Sequence, residues 1–600
     1  MSGVVDRRQL LRGAGLVAGG AALSAGLPGW AQPVSAGLPT VTGDDIHLRI
    51  AHQMMTIDGR RRHAIGINGS VPAPLIRLRE GRTVRLHVEN ALDEDSSLHW
   101  HGLIVPFQMD GVPGISFPGI PKRSTFTYEF PVVQAGTYWY HSHSGLQEQM
   151  GLYGPIVIDP AGDDPIVSDR EHVIVLSDHS PLHPHRIFMN LKKQAGYFNR
   201  QQQTLAGLLK GEDQPLRERL AWGRMRMDPT DVADVTGSTY TYLVNGHGPR
   251  DHWTGLFRPG ERVRLRIVNA SAMTTFNVRI PGLPMTVVQA DGMNVRPVEV
   301  DEFQIGVAET YDVIVTPPAD IAYTLVGESV DRSGMARATL APRAGMVGAV
   351  PPLRRRPVAT MKDMGMGGMD GGGKDMAAHD AMPGMDHAAM GHATMDHAGM
   401  GHAGMDPPTA GHATMDHGDM RDFAKAPGVR KGPGVQTIAP MPVDRTGDPG
   451  QGLEDVGHRV LTYRDLIARD RNPDVRAPSR ALEIHLTGNM ERYMWGFDGE
   501  KLSEVTAPIP FTAGERVRVT LVNDTMMGHP IHLHGHFFEL VTGHGAYSPR
   551  KHTVMVQPGG TVSWDVTANA GDWAFHCHML YHMHAGMMQV VQVRADGEAA

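Results

Sequence analysis

The sequence contains a single cysteine, Cys577, among its 600 residues. An intramolecular disulfide is therefore excluded, and packed cores must supply the stability of the fold. Aromatic residues are scarce at 6%, while hydrophobic residues at 41% remain ordinary for a globular protein. No stretch after residue 36 is long and apolar enough to span a membrane, so no membrane span is expected in the mature chain. A net charge of −8 argues against nucleic acid as a main partner.

The N-terminal residues have the pattern of an export signal. Arg7-Arg8 precedes an uncharged run of small and apolar residues from Gly13 to Leu27, and cleavage after Ala31 or Ala36 would follow. We therefore expect residues 1–36 to be a twin-arginine signal peptide that directs the protein to the periplasm. The alternatives are a plain N-terminal tail or a membrane anchor, but the run is shorter than the roughly 18 apolar residues needed to span a bilayer.

Three segments of the chain repeat one pattern, in which apolar residues occupy every second position between a glycine and an asparagine. Such alternation predicts a β-strand with one buried face. A turn dipeptide precedes each copy, so we predict three related β-domains. The strand copies are 81–90, 260–269 and 514–523. The turn dipeptides are Asn68-Gly69, Asn245-Gly246 and Asp498-Gly499. The expected domain ranges are 40–162, 168–342 with a partly helical insertion at 181–228, and 451–597.

The range 343–450 is predicted to be a linker between the second and third domains. Between Leu353 and Phe423 it lacks Leu, Ile, Phe, Tyr and Trp, so it cannot bury enough apolar surface to fold and should be disordered when free of metal. A ten-residue repeat within it combines thioethers with imidazoles, which favours copper over zinc or iron. The alternative is a low-complexity linker without ligands. The candidate residues are Met385, His387, Met390, His392, Met395, His397, Met400, His402, Met415 and His417.

The first β-domain carries two His-x-His pairs, His99 with His101 and His141 with His143. Residues two apart on a strand point to the same face, so each pair presents two imidazoles side by side. Either pair alone is as well explained by surface histidines or by a zinc site.

The third β-domain carries two further clusters, one at His529-Pro-Ile-His532-Leu-His534 and one at His576-Cys577-His578. The thiol of Cys577, the imidazoles of His529 and His582 and the thioether of Met587 form the ligand set of a blue-copper site, in which the methionine is a weak axial ligand. A buried structural thiol is the alternative for Cys577.

With these four ordered motifs, the chain resembles the multicopper oxidases along nearly all of its mature length. The segment from Trp139 to Met150 and the Met/His insertion most resemble the periplasmic copper-resistance type. The resemblance implies an all-β fold of three cupredoxin-like Greek-key β-sandwiches and four copper ions. It places the type 1 copper on His529, Cys577, His582 and Met587, and the type 2 copper on His99 and His532. The paired type 3 coppers would be held by His101, His141, His143, His534, His576 and His578.

The resemblance also implies a reaction, in which a reductant gives electrons one at a time to the type 1 copper and dioxygen is reduced to water at the other three. Asp110 matches an acidic residue that the family places near the type 2 copper, although an ordinary Asp-Gly turn explains it equally well. Tyr581 stands where some cuprous oxidases have a glutamate, and its hydroxyl is a candidate proton relay. The second domain lacks ligands and is interpreted as a spacer.

Three functions compete at this stage. The first is a cuprous oxidase of copper resistance, and the second is a laccase-like oxidase of phenols. The third is a non-enzymatic copper-sequestering protein, which retention of all twelve ligands disfavours. Thioethers near the type 1 motifs would suit Cu(I) as substrate, although methionine also fills β-sandwich cores. The protein is expected to be a monomer, and other periplasmic copper-handling proteins are candidate partners. The thioethers concerned are those of Met490, Met494, Met526, Met527, Met583 and Met588.

Overall fold

The computed structural model describes residues 37–366 and 419–595. The predicted signal peptide and the Met/His repeats lie outside these ranges. The described residues form six β-sheets that pair into three successive sandwiches, so the predicted all-β fold of three sandwiches is confirmed.

The first sandwich packs a five-stranded sheet, ordered β1-β4-β9-β8-β6, against a four-stranded sheet, ordered β3-β2-β5-β7. Its strands are β1 (Thr40–Thr42), β2 (Asp45–Ile57), β3 (Arg60–Ile67), β4 (Leu75–Arg79), β5 (Thr83–Asn90), β6 (His99–His101), β7 (Ser124–Pro131), β8 (Gly136–His141) and β9 (Tyr153–Asp159). In the four-stranded sheet antiparallel and parallel pairs alternate, since β2 runs antiparallel to β3 and parallel to β5, and β5 runs antiparallel to β7.

The second sandwich has sheets ordered β11-β10-β13-β18-β15-β16 and β12-β20-β19-β14-β17. Its strands are β10 (Arg170–His179), β11 (Thr241–Val244), β12 (Trp253–Leu256), β13 (Val263–Asn269), β14 (Phe276–Arg279), β15 (Met285–Ala290), β16 (Met293–Val300), β17 (Glu302–Ile305), β18 (Thr310–Val315), β19 (Tyr323–Ser329) and β20 (Met335–Ala341). Between β10 and β11 lie three helices, α1 (Pro184–Lys193), α2 (Leu205–Lys210) and α3 (Leu216–Arg224). They occupy the range in which the sequence predicts a helical insertion.

The third sandwich has sheets ordered β23-β22-β25-β30-β27-β28, with β21 beside β30, and β24-β32-β31-β26-β29. Its strands are β21 (Val443–Asp444), β22 (Arg480–Asn489), β23 (Met494–Phe497), β24 (Ile509–Thr512), β25 (Arg516–Asn523), β26 (His529–Leu533), β27 (Phe538–Leu540), β28 (Arg550–Lys551), β29 (Thr553–Val556), β30 (Gly560–Thr567), β31 (Gly571–Cys577) and β32 (Met588–Arg594). Helix α4 (Leu580–Ala585) connects the last two strands. None of the helices within the described ranges has the length and apolar character needed to cross a membrane.

The repeated sequence pattern forms the same central strand in each sandwich, namely β5, β13 and β25. The alternating apolar residues of all three strands are at most 1% exposed, as the period of a half-buried strand requires. The asparagine that ends each strand is fully buried, and its side-chain amide donates to a backbone carbonyl of the loop that follows. These asparagines therefore fix where the loop to the next strand begins. They are Asn90, Asn269 and Asn523.

The repeated turn dipeptides also have one conformation. Both residues of each dipeptide have positive φ, which glycine, asparagine and aspartate tolerate best. The first residue of each turn also accepts a backbone hydrogen bond from a neighbouring strand, as Asn245 does from Val175 at 2.7 Å.

The second and third sandwiches share one continuous apolar core, whereas the first has a core of its own. Parts of the predicted linker also pack against the third sandwich. Arg445 is 2% exposed, donates to Asp363 at 2.7 Å and to the carbonyl of Pro558 at 2.9 Å. The residues on both sides of the Met/His repeats are therefore held on the third sandwich.

Candidate metal centre

Strand pairing brings the predicted histidines together within each terminal sandwich. In the first, β6 pairs with β8 so that His99 lies opposite His141. In the third, β26 pairs with β31 so that His532 lies opposite His576 and Ile531 lies opposite Cys577. Because residues two apart share a face, the other member of each His-x-His pair projects on the same side.

The two sandwiches meet at these faces, and eight imidazoles form one cluster. The ring centroids of His99 and His534 are 3.9 Å apart, and those of His101 and His532 are also 3.9 Å apart. Each pair joins the first sandwich to the third. The remaining members of the cluster are His141, His143, His576 and His578, with His141 4.9 Å from His578 and His143 5.2 Å from His576.

The ring nitrogens of this cluster are arranged as metal ligands. His99 Nδ1 donates to the carbonyl of Asp110 at 2.6 Å, and His532 Nδ1 donates to the carbonyl of His552 at 2.6 Å. These bonds fix the tautomer that leaves Nε2 free to coordinate. Among the described residues, the buried Nε2 atoms of His99, His141, His143, His532 and His578 have no hydrogen-bond partner. Buried orphan nitrogens that converge within 4.8 Å of one another fit a metal-binding function.

Burial favours the neutral form of several of these imidazoles. Loss of solvent, reinforced by neighbouring imidazoles, holds the pKa of His141 and His534 well below the ordinary histidine value. For His576, burial lowers the pKa to about 4. Neutral imidazole is the form that binds metal, so burial favours the metal-binding form of His141, His534 and His576.

A second centre lies within the third sandwich, around Cys577. The sulfur lies 3.6 Å from Nδ1 of His529 and 3.8 Å from Nδ1 of His582, and the two nitrogens are 3.2 Å apart. Met587 is fully buried and its carbonyl accepts a bond from the Cys577 amide at 3.1 Å. Burial raises the pKa of the Cys577 thiol, which makes a bound cation the natural partner of its thiolate form.

The two imidazoles of this second centre are also held by their outer nitrogens. His529 Nε2 lies 2.8 Å from Oγ1 of Thr525, and His582 Nε2 donates to Oδ2 of Asp234 at 2.7 Å. Trp495 stacks on the His582 ring at 3.9 Å. Both Nδ1 atoms therefore face the sulfur in a fixed orientation, as a trigonal metal site with soft and nitrogen ligands requires.

Comparison with known protein families agrees with this geometry. Three multicopper oxidase models match residues 49–163, 214–343 and 476–597, which together are more than half of the chain. The chain belongs to the multicopper oxidase family. It is thus a copper-dependent oxidase, whose family members pass electrons from a reducing substrate to dioxygen.

Individual relatives of this multicopper oxidase cover it almost completely. Copper resistance protein A of Escherichia coli is 49% identical over 98% of this chain and 99% of its own length. A copper resistance protein A homolog of Pseudomonas syringae pv. tomato is 49% identical over 94% of this chain and 95% of its own length. A laccase structure from Botrytis aclada, at 20% identity, superposes with a TM-score of 0.60 over 92% of this chain and 88% of the laccase. That likeness shows the shared cupredoxin-like fold.

Of the two residues predicted to act beside the copper ligands, Asp110 contacts the cluster and Tyr581 does not. Asp110 is 1% exposed and touches two imidazoles, because its Oδ2 accepts from His534 at 2.8 Å while its carbonyl accepts from His99. Tyr581 is fully buried, but its hydroxyl lies 3.4 Å from Oε1 of Gln149 rather than against a cluster imidazole. A role in proton delivery stays a prediction for both residues.

Three contacts of the oxidase were not found from the sequence. Glu148 Oε2 accepts from His141 Nδ1 at 2.6 Å, and burial raises its pKa well above the ordinary value. His552 is a further buried imidazole beside the eight of the cluster, with its Nδ1 3.2 Å from His101 Nε2. Asp234 holds His582 from the second sandwich. Glu148 stands five residues after His143, which was a usable signal, whereas nothing local distinguishes Asp234 from other acidic residues.

Proposed function

We propose that this multicopper oxidase oxidises Cu(I) to Cu(II) with dioxygen as the electron acceptor, and that it serves copper resistance in the periplasm. The similarity to two copper resistance proteins extends over nearly the whole chain and supports the physiological role. The twin-arginine pattern of residues 1–36 supports the location.

The proposed ligand sets follow the two centres. His529, Cys577, His582 and Met587 would hold the type 1 copper, and His99 with His532 would hold the type 2 copper. Bound copper supplies one-electron transfer at the first centre and the four-electron reduction of dioxygen to water at the cluster. The type 3 pair would be held by His101, His141, His143, His534, His576 and His578.

The chain itself contributes shielding and connection. His529, Cys577 and His582 are all fully buried, so water is excluded from the first centre. The cysteine is bonded through the backbone to His576 and His578, which face the cluster. The donor side and the dioxygen side are therefore joined by one short stretch of strand β31 and the residue that follows it.

A methionine cluster beside the type 1 centre supports Cu(I) as the substrate. Helix α3, both flanks of the Met/His repeats and two loops of the third sandwich contribute to it around Trp222, which is 2% exposed. Thioethers are soft ligands that select Cu(I). Its methionines are Met225, Met227, Met361, Met364, Met366, Met420, Met490 and Met526.

The observation that carries the proposal is the position of Met526. It is 1% exposed within the methionine cluster, and its neighbour Thr525 contacts the Nε2 atom of His529. A Cu(I) ion held on these thioethers would lie next to the type 1 ligands. By contrast, His582 is fully buried beneath Trp495 and Asp234, which leaves its ring edge inaccessible to a phenol.

The position of the methionine cluster also indicates a role for the Met/His repeats. Residues 367–418 begin directly after Met366 and end shortly before Met420, and both of these methionines belong to the cluster. We propose that the repeats bind additional copper and deliver it to the cluster between them.

Oxygen uptake by the copper-loaded full chain tests this function. We expect the enzyme to oxidise Cu(I) much faster than the uncatalysed rate and faster than a simple phenol. The double variant Met490→Leu/Met526→Leu removes two thioethers at nearly constant volume. We expect it to lower kcat/KM for Cu(I) by at least about tenfold, because soft ligands are lost, while blue absorption is retained.

The matched control is Met54→Leu/Met189→Leu, which changes two half-exposed methionines outside the cluster and should leave kcat/KM for Cu(I) unchanged. Cys577→Ser should abolish both the blue absorption and turnover of any donor. Rapid turnover of the phenol with none of Cu(I) would overturn the proposal in favour of a laccase-like oxidase.

A further inference from the structure

The first sandwich and the helical insertion enclose a cleft of about 370 Å³ that lies outside both copper centres. Four histidines line it. His52 and His63 come from the antiparallel strands β2 and β3, and His183 and His185 come from the start of helix α1. We call it the histidine cleft.

The imidazoles of the histidine cleft form two close pairs, one on the strands and one at the start of the helix. The ring centroids of His52 and His63 are 4.9 Å apart, and those of His183 and His185 are 5.4 Å apart with nearly parallel planes. Burial lowers the pKa of His63, and the charges of His52 and His183 lower it further. His63 is therefore within electrostatic reach of a histidine from each of the two elements.

The four histidines are not equally available as metal ligands. Nδ1 of His183 accepts a bond from the backbone amide of His185 at 3.3 Å and so caps helix α1. The amide bond favours the tautomer in which Nε2 of His183 carries the proton and is not available to a metal. His52, His63 and His185 are then the nitrogen ligands that the cleft offers.

Carboxylates complete the wall of the cleft. Asp93, Glu94 and Asp95 all line it. The Arg123 guanidinium lowers the pKa of Asp93, and His52 contributes in the same direction, which places His52 near this carboxylate. Three acidic side chains beside four imidazoles favour a cation.

The histidine cleft is separate from the cluster but adjacent to it. Gln147 lines the cleft, and its Oε1 accepts from Ser142 Oγ at 3.0 Å. Ser142 lies between the cluster histidines His141 and His143. One layer of side chains therefore divides an ion in the cleft from the trinuclear cluster.

We propose that the histidine cleft binds one divalent copper ion, with His52, His63 and His185 as nitrogen ligands and the carboxylates at 93–95 as oxygen ligands or counter-charge. Imidazole and carboxylate ligands suit Cu(II). Thioethers would favour Cu(I), but Met150 supplies the single thioether among the residues that line the cleft. Among divalent first-row metals, a mixed nitrogen and oxygen site binds Cu(II) most tightly. The site does not depend on which donor the enzyme oxidises.

Titration of Cu(II) alone into the copper-loaded full chain tests the site, with electron paramagnetic resonance and calorimetry as readouts. Beyond the catalytic copper and the copper proposed on the Met/His repeats, we expect one further equivalent with an axial nitrogen-ligated signal. His63→Ala and His185→Ala should each weaken that same component by at least about tenfold. Because the two ligands share one ion, the double variant should lose little more than either single variant.

His47→Ala is the matched control. It removes an exposed histidine that lies outside the cleft on β2, the strand that carries His52, and it should leave this component unchanged. Blue absorption and the melting temperature should stay constant in all variants, which separates loss of the site from loss of folding or oxidase activity. Unchanged binding in His63→Ala, strictly additive losses, or tighter binding of Zn(II) than of Cu(II) would each overturn the proposal.

Discussion

At the scale of single residues, the centre around Cys577 depends on an acid from another sandwich. Asp234 accepts a hydrogen bond from the outer nitrogen of His582 and another from the Tyr493 hydroxyl at 2.8 Å. The carboxylate therefore sets the orientation of the ring and raises the basicity of the nitrogen that faces Cys577.

We expect Asp234→Asn to weaken retention of the type 1 copper by about 10–100-fold, the usual effect of losing such an outer-shell partner. Blue absorption during competition with a chelator measures the loss. Asp231→Asn is the matched control. Asp231 is a buried neighbour whose pKa is raised well above its ordinary value by burial and by Asp234, so an amide resembles its favoured neutral form. Equal retention in both variants would show that Asp234 does not support the centre.

At the scale of elements, the three sandwiches use the same turn but not the same residue. Asn68 and Asn245 begin the turn in the first two sandwiches, and Asp498 begins it in the third. Asp498 Oδ1 accepts from the His485 amide at 2.8 Å, a bond that an asparagine oxygen makes at the other two turns. Burial raises the pKa of Asp498 to about 6.

A raised pKa means that the folded state binds the Asp498 proton more tightly than the unfolded state. The resulting stability is complete below about pH 4 and is lost as the pH rises through 6. We therefore expect Asp498→Asn to remove this loss, to stabilise the protein above pH 6 by about 3 kcal/mol and to raise Tm by a few degrees.

Differential scanning calorimetry from pH 4 to 8 measures this difference. The reciprocal change, Asn245→Asp, places an acid at a turn position that is only 6% exposed. It should lower Tm at pH 8 and not at pH 4. If the gain from Asp498→Asn were the same at every pH, titration of Asp498 would not be its source.

At the scale of the whole molecule, the second sandwich, interpreted from the sequence as a spacer that sets the geometry, contacts residues of the third sandwich beside the cluster. Its Asp291 is fully buried and lies 3.0 Å from the ammonium of Lys551. The second oxygen of Asp291 accepts from the amides of His552 and Thr553, each at 3.1 Å. Because the His552 carbonyl orients His532, this aspartate links the second sandwich to the cluster of eight imidazoles.

We expect Asp291→Ala to destabilise the protein by about 3–5 kcal/mol, because it leaves the buried charge of Lys551 without its main partner. Copper at the cluster should also be lost more readily to a chelator. Arg343→Ala is the control, since its ion pair with Asp320 is exposed and contributes less than about 1 kcal/mol. Equal denaturant midpoints for the two variants would contradict the role of Asp291.

Much of the fold and of the two candidate metal centres was predictable from local sequence patterns. The alternation in 81–90, 260–269 and 514–523 predicted the central strands, because a strand with one buried face must repeat every second residue. The His-x-His pairs and Cys577 were predictable as candidates because metal chemistry requires particular side chains at short spacing. The ligand assignments themselves remain predictions.

The sequence by itself determined the three-sandwich architecture, the candidate ligands and the family, since each is written in short contiguous motifs. The tertiary structure alone decided which distant residues support them. Asp234 lies 348 residues from His582, and the methionine cluster and the histidine cleft each gather side chains from several elements. Such contacts depend on how the sandwiches pack, and hydrogen bonding and metal affinity act over a few ångströms of space, whatever the separation along the chain.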